Sequence, residues 1–176
     1  MSYSLQDFCA DARAILAVQD DHEGREQIRR KLELLLGDGS FRAAHLDGND
    51  ATGVRQIHED PEQHFCVLVY NMKTPRKSPP HDHGDSWAVY GQADGYTDMT
   101  IWSAHDGSVE PVRSFRLAPG QAGLFDVREI HSIEYGEGAK FVRVTGVDLS
   151  RESRKVFDPE TGAVQEIESV GAGSSR

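Results

Sequence analysis

Three of the eight histidines are spaced in a way that could bind a metal ion. Residues two apart in an extended strand point to the same side, so His81 and His83 can both face one point while Asp82 faces away. His131 follows fifty residues after His81, beyond a Pro-Gly turn and a short apolar stretch, and is the natural third ligand. Two histidines on one strand and a third on another can hold a metal and leave coordination positions open.

The residue types limit the chemistry of such a centre without choosing the metal. Neutral imidazoles supply no negative charge, so a bound divalent ion keeps its full charge and attracts anionic, chelating substrates. Iron at this position could bring a substrate anion and O₂ together, whereas zinc would polarise a carbonyl group or activate water. Because three histidines also suit zinc, nickel and copper, the residues alone leave the metal open.

The elements that must position these histidines change in character along the chain. Apolar residues recur at three- and four-residue intervals over residues 5–16 and 28–36, which predicts two amphipathic helices, the first capped by Ser4 with Asp7 in the capping-box position. Beyond them, short apolar runs alternate with Gly, Pro and Asp turns, which predicts an all-β sandwich or barrel. These runs cover residues 65–70, 87–90, 99–102, 114–117, 123–125 and 141–147.

The histidine pattern resembles the cupin superfamily, with a first motif from His81 to Gly91 and a second from Pro119 to His131. The glutamate ligand of the usual first motif is replaced, so the site resembles the three-histidine variant. Within the cupins, residues 55–164 are most similar to the cysteine-dioxygenase-like, or thiol dioxygenase, branch. That resemblance implies that the β region is a cupin double-stranded β-helix (jelly-roll barrel). Together with the apolar spacing, it gives an expected fold that is mainly β, with this barrel preceded by two N-terminal α-helices. It also favours Fe(II) and implies that O₂ oxidises a small acidic substrate, with thiol carboxylates as the leading class.

Two arginines are candidate substrate-binding residues, since a guanidinium fork matches a carboxylate. The resemblance assigns the substrate carboxylate to Arg55, which precedes His81 by 26 residues. The family's Ser-x-His-x-Tyr relay is replaced here by Phe141, Arg143 and Thr145. Arg143 would then supply an anion-binding group in place of a proton relay, although the alternation of its strand also allows it to face solvent. Trp87 and Tyr90, just after the histidine pair, are expected in the pocket wall or its core.

Two other function classes remain open at this stage. The missing relay leaves room for a different metal-dependent cupin reaction, such as diketone cleavage, isomerisation or hydrolysis. A small-ligand-binding cupin without dioxygenase activity is the other alternative, although binding alone does not need an open metal position. We expect one domain over residues 1–176, with a helical lead-in at 1–38, a barrel at 41–165 and a flexible tail at 166–176.

Composition excludes several classes of partner. The formal net charge of −10 and the absence of any Lys/Arg block argue against nucleic acid and anionic lipid, and no apolar run is long enough to cross a bilayer. With two cysteines and no N-terminal apolar signal segment, a cytoplasmic location is expected. The expected partners are a small organic anion and O₂, and the chain could act as a monomer or a homodimer.

Overall fold

A computed structural model of the protein describes residues 2–47 and 51–168. The predicted tail at 166–176 lies outside the described residues from position 169 onward. None of the helices in the described ranges has the length and hydrophobicity needed to span a membrane.

The chain begins with helices, as the apolar spacing predicts. Ser4 caps the first helix and forms the predicted capping box with Asp7, so each satisfies a backbone N–H of the other. Asp21 caps the second helix by accepting from the N–H of Gly24. The helices are α1 (Leu5–Val18), α2 (His22–Leu36) and α3 (Gly39–Arg42), followed by a π-helical turn (Ala43–Asp47) and, much later, a 3₁₀ turn (Leu149–Arg151).

Eleven strands follow within the described residues, and every pairing among them is antiparallel. They are β1 (Gly53–Glu59), β2 (Cys66–Met72), β3 (Arg76–Lys77), β4 (Ala88–Asp94), β5 (Thr97–His105), β6 (Ser108–Leu117), β7 (Ala122–Phe125), β8 (His131–Tyr135), β9 (Ala139–Thr145), β10 (Arg154–Phe157) and β11 (Val164–Ile167). All six predicted strand runs overlap a strand, whereas the other five strands, β1, β3, β8, β10 and β11, carry too many polar residues to stand out as apolar runs.

The pairing of the strands is nested, which defines the topology. β5 pairs with β6, β4 with β7, β3 with β8 and β2 with β9, as in a long hairpin wound on itself. The strands form two sheets in the orders β1-β2-β9-β4-β7 and β3-β8-β5-β6, while β10 and β11 form a separate hairpin. The predicted fold class, a mainly β jelly roll preceded by two N-terminal helices, is therefore confirmed.

The five-stranded sheet is mostly buried on both faces along β2, β9, β4 and β7, whereas its edge strand β1 is polar and partly exposed. The outer face of the sheet packs against α1 and α2, while its inner face contributes to the barrel core with Tyr90, Phe125 and Phe141. Gly91 permits the close approach of α2, because a Cβ atom there would lie 2.8 Å from side-chain carbons of Leu32 and Leu36. The helices thus seal one side of the sheet and leave the barrel interior for the site.

A buried carboxylate ties α1 to the turn between β1 and β2. Asp60 is fully buried and accepts hydrogen bonds from the Arg13 guanidinium and from the backbone N–H groups of Glu62 and Gln63. Burial by itself would raise the pKa of Asp60, but these donors lower it from 3.8 to about 2.

We expect the Asp60→Asn variant to lose about 2 kcal/mol of unfolding free energy at pH 7. Because the folded-state pKa is depressed, this stabilisation is present above pH 3.8 and is lost as the pH falls towards 2. Urea unfolding of both proteins across that range measures it, with Asp98→Asn as the control, because Asp98 pairs with Arg116 at an exposed position. Equal losses in the two variants at pH 7 would contradict the role given to Asp60.

Candidate metal centre

The three predicted histidines meet inside the barrel. His81 and His83 lie on the segment that leads into β4, and His131 is the first residue of β8. The backbone N–H and carbonyl groups of His81 and His131 bond reciprocally at 2.9 Å, which holds the two histidine-bearing segments together. One ligand nitrogen from each ring lies within 4.8 Å of the other two. The structure therefore brings together a group of side chains that could hold a metal ion.

The histidine pair differs from the prediction in one respect, because it does not lie on a regular strand. His81 forms isolated bridges to His131 and Val156, and the chain turns at Gly84, whose φ is +61°. Side chains along this segment still alternate in direction, because bridges to neighbouring segments hold it extended on both sides. Asp82 faces away, and its carboxylate accepts from the N–H groups of Gly84 and Lys155 at 3.1 and 2.9 Å.

Hydrogen bonds to backbone carbonyls set the tautomers of two of the rings. Nδ1 of His81 lies 2.9 Å from the carbonyl oxygen of Pro79, and Nδ1 of His131 lies 3.1 Å from that of Glu129. Because a carbonyl oxygen can only accept, Nδ1 carries the proton in both rings and Nε2 presents its lone pair. Such a bond from the second nitrogen is typical of metal-binding histidines.

Burial keeps the three rings neutral, which is the form that binds metals. Their side chains are only 1% to 8% exposed, and burial lowers the pKa of His81 to about 4. Burial and the neighbouring rings lower the pKa of His83 and His131 well below 6.5. Nε2 of His131 is buried and has no hydrogen-bond partner within the described residues. A buried polar nitrogen without a partner is costly, and a metal ion would satisfy it, so these residues fit such an ion.

Aromatic side chains in the barrel interior contact the histidine rings. The ring of Phe125 stacks on His131 at 4.0 Å between centroids, and the hydroxyl of Tyr90 lies 3.4 Å from Nε2 of His83. Tyr90 thus lies in the pocket wall, as expected. Trp87 instead packs in the core between the five-stranded sheet and the helices. Alternation along the chain separates them, since Trp87 and Val89 face the helices while Ala88 and Tyr90 face the barrel.

A cavity of about 210 Å³ opens beside the histidines. Its walls combine aromatic and aliphatic side chains with three arginines, and no Asp or Glu is among the described residues that line it. The lining includes Tyr70, Arg76, His81, Tyr90, Phe141, Arg143 and Arg154. Although the chain as a whole is acidic, this cavity carries positive charge and is suited to a small organic anion.

Arg143 faces this cavity rather than solvent. It lies on β9 opposite Tyr90 on β4, on the same side of the strand as Phe141, which also lines the cavity. Its guanidinium carbon is 5.1 Å from the ring centroid of Tyr70, and its buried Nε has no hydrogen-bond partner among the described residues. Strand alternation and the inward-facing aromatic rings thus place a cation close to the histidines.

Arg55 is not brought to the histidines. It is exposed on β1, and its guanidinium donates a hydrogen bond of 3.0 Å to the carbonyl oxygen of His45. Its neighbour Val54 lines the cavity, so Arg55 lies on the opposite face of the strand. In this structure the side chain therefore does not occupy the place that the resemblance implies for it.

Sequence reasoning did not single out Arg154 as a site residue. Arg154 and Val156 alternate along β10 and both line the cavity. Burial lowers the pKa of Arg154, and the positive charge of Arg143 lowers it further. The two guanidinium groups therefore repel each other. The only sequence signal is a charged residue two positions before an apolar one in a short strand, which by itself does not tell which face is inward.

Comparison with known proteins supplies neighbours in fold but no relative in sequence. No protein-family model matches the chain, and no curated protein matches it. KdgF from Halomonas sp. superposes with a TM-score of 0.43 and 12% identity over 55% of this chain and 81% of that one. The Cnp3 cupin domain of Schizosaccharomyces pombe gives 0.42 and 14% over 52% of this chain and 61% of that one.

A structure of DMSP lyases gives a TM-score of 0.40 and 13% identity over 52% of this chain and 45% of that one. The chain is similar to these proteins in part of its length, and the nested strand pairing carries the assignment of its fold.

Proposed function

We propose that this protein is a mononuclear non-haem iron dioxygenase that oxidises a small organic anion with O₂. The observation that supports this most directly is the juxtaposition of three buried, neutral histidines with a cavity whose charged side chains are all arginines. A centre held by neutral ligands retains the full charge of its ion, and the arginines add to the attraction for an anion. When bound, Fe(II) would supply the electron transfer between the substrate and O₂.

The chain's own residues would bind and orient the substrate. Arg143 offers a guanidinium beside the histidines and is suited to a carboxylate. Apolar cavity walls around it, including Phe141, would strengthen that pairing by excluding water. The hydroxyl of Tyr90, 3.4 Å from Nε2 of His83, is placed to donate a hydrogen bond to a group bound next to that ring. A substrate with a carboxylate at one end and a thiol or enol at the other would contact both ends of the site.

One observation keeps a second function in view, namely a different metal-dependent reaction such as diketone cleavage, isomerisation or hydrolysis. The positions of the family's proton relay hold Phe141, Arg143 and Thr145, and the Thr145 hydroxyl donates to the carbonyl oxygen of Val147 at 2.7 Å. None of these three side chains is therefore arranged to relay a proton. In thiol oxidation, proton transfer would then depend on Tyr90 or on the substrate's own ionisable groups.

The proposed function is tested by metal analysis followed by oxygen uptake. We expect the purified protein, loaded anaerobically with Fe(II), to hold one iron per chain and to consume O₂ with at least one of cysteine, 3-mercaptopropionate and acetylacetone. Uptake with acetylacetone alone would indicate diketone cleavage rather than thiol oxidation. Absence of bound iron, or no uptake with these three compounds and with the dicarboxylate thiol mercaptosuccinate, would rule out the dioxygenase.

A further inference from the structure

Two cationic side chains enter the cavity from different sheets. Arg143 comes from β9 of the five-stranded sheet, and Arg154 from the β10–β11 hairpin that lies against the segment bearing the histidines. Both contribute a buried Nε without a hydrogen-bond partner in the described part of the chain. Within those residues, neither guanidinium forms an ion pair with a carboxylate, although the chain has 29 acidic residues.

This arrangement concentrates positive charge in one cavity. Burial lowers the pKa of Arg154, and the positive charge of Arg143 lowers it further, as does that of Arg76. Like charges in a partly desolvated cavity repel each other and lose part of their hydration, and no protein carboxylate lines the cavity to offset them. A ligand that brings more than one negative charge would offset both costs.

We propose that the substrate of this site carries two carboxylates, one bound by Arg143 and the other by Arg154. This inference rests on the proposed function in taking the cavity as the substrate site, and it extends that function from a monoanion to a dicarboxylate. A single carboxylate would neutralise only one of the two guanidinium groups. The aromatic and aliphatic residues that line the same cavity, including Tyr70 and Val156, suit a short hydrocarbon body joining the two acidic groups.

Binding of succinate and butyrate to the full chain tests the inference without depending on turnover. The two acids have the same carbon count and differ by one carboxylate. We expect calorimetry at pH 7.5 to give a Kd at least about tenfold lower for succinate, the size expected for one added charge-assisted pair. Equal affinities for the two acids, or tighter binding of butyrate, would overturn the inference.

Matched variants locate the second carboxylate. Arg154→Gln should raise the Kd of succinate about tenfold and leave that of butyrate within about twofold. Lys155→Gln removes the same charge from the next residue, which is exposed and lies outside the cavity, and should change neither Kd. If Lys155→Gln weakens succinate binding as much as Arg154→Gln, long-range charge explains the preference and the assignment of Arg154 fails. The comparison of the two acids on the unsubstituted protein stands even if a variant does not fold.

An activity measurement separates failure of this inference from failure of the proposed function. Mercaptosuccinate and 3-mercaptopropionate both carry a thiol and differ by one carboxylate, so O₂ uptake with the iron-loaded protein should show a higher kcat/KM for mercaptosuccinate. A succinate preference without O₂ uptake would retain the dicarboxylate site and remove the dioxygenase. Uptake with 3-mercaptopropionate but equal affinity for succinate and butyrate would retain the dioxygenase and remove the dicarboxylate site.

Discussion

Replacing His83 by alanine is expected to abolish stoichiometric metal binding. His83 supplies one of three ligand nitrogens within 4.8 Å of one another, and no other His, Cys, Asp or Glu among the described residues joins this group. Loss of an outer hydrogen-bond partner of a ligand typically lowers metal affinity roughly 10- to 100-fold, so loss of a ligand should lower it at least ~100-fold. Metal content after dialysis, measured by mass spectrometry, and the visible spectrum after cobalt loading would both report the change.

His105→Ala provides the matched control for this experiment. His105 is exposed at the end of β5, contacts the hydroxyl of Ser103 and does not line the cavity. We expect the control to keep its metal and its cobalt spectrum. Retention of one tightly bound metal per chain by the His83→Ala protein would show that the ligand assignment is wrong, provided that its circular dichroism spectrum shows a folded barrel.

Replacing Arg143 by glutamine is expected to raise the KM for a carboxylate substrate by about 10- to 100-fold, with a smaller effect on kcat. Glutamine keeps a polar group of similar length but removes the charge and the guanidinium fork, and a hydrogen bond to a charged group contributes about 1.5–3 kcal/mol. The effect should be largest on KM because a remote carboxylate is held equally in the ground and transition states. Steady-state O₂ uptake, or calorimetry with a non-reactive carboxylate, measures it.

The Arg55→Gln variant, compared with Arg143→Gln, tests which of the two candidate arginines binds the substrate carboxylate. Because Arg55 is exposed and bonded to the carbonyl oxygen of His45, its replacement should change KM by less than about twofold. Arg143→Lys, which keeps the charge without the fork, should fall between the wild type and Arg143→Gln. A large effect of Arg55→Gln together with a small effect of Arg143→Gln would reverse the assignment.

Local rules account for the features that sequence reasoning predicted. The capping box at Ser4 depends on residues three positions apart, and the convergence of His81 and His83 depends on alternation over two positions. Short-range patterns of this kind survive because they are satisfied within one segment. The histidine pair does not lie on a regular strand, yet its side chains still alternate, because backbone hydrogen bonds to His131 and Lys155 keep that segment extended.

Whether a side chain on a strand faces the barrel interior or the outside was harder to predict, because it depends on which face of the strand other elements cover. Arg55 and Arg143 both lie on strands of the same sheet, yet one faces outward and the other lines the cavity. Trp87 likewise lies shortly after the histidine pair in the sequence but faces the helices. Arg154 joins the site only because the last hairpin packs against the histidine segment, some seventy residues away in the chain.

The sequence by itself determined the chemistry available to this protein: three histidines with metal-ligand spacing, a mainly β chain behind two helices, and arginines suited to an anion. These depend on residue type and on periodicities of 2 and 3.6 residues, which are local. Only the tertiary structure decided which arginines share the cavity with the histidines. A strand presents alternate residues to opposite faces, and the face that becomes the interior is set by the nested pairing of distant strands and by the helices that cover the outer side.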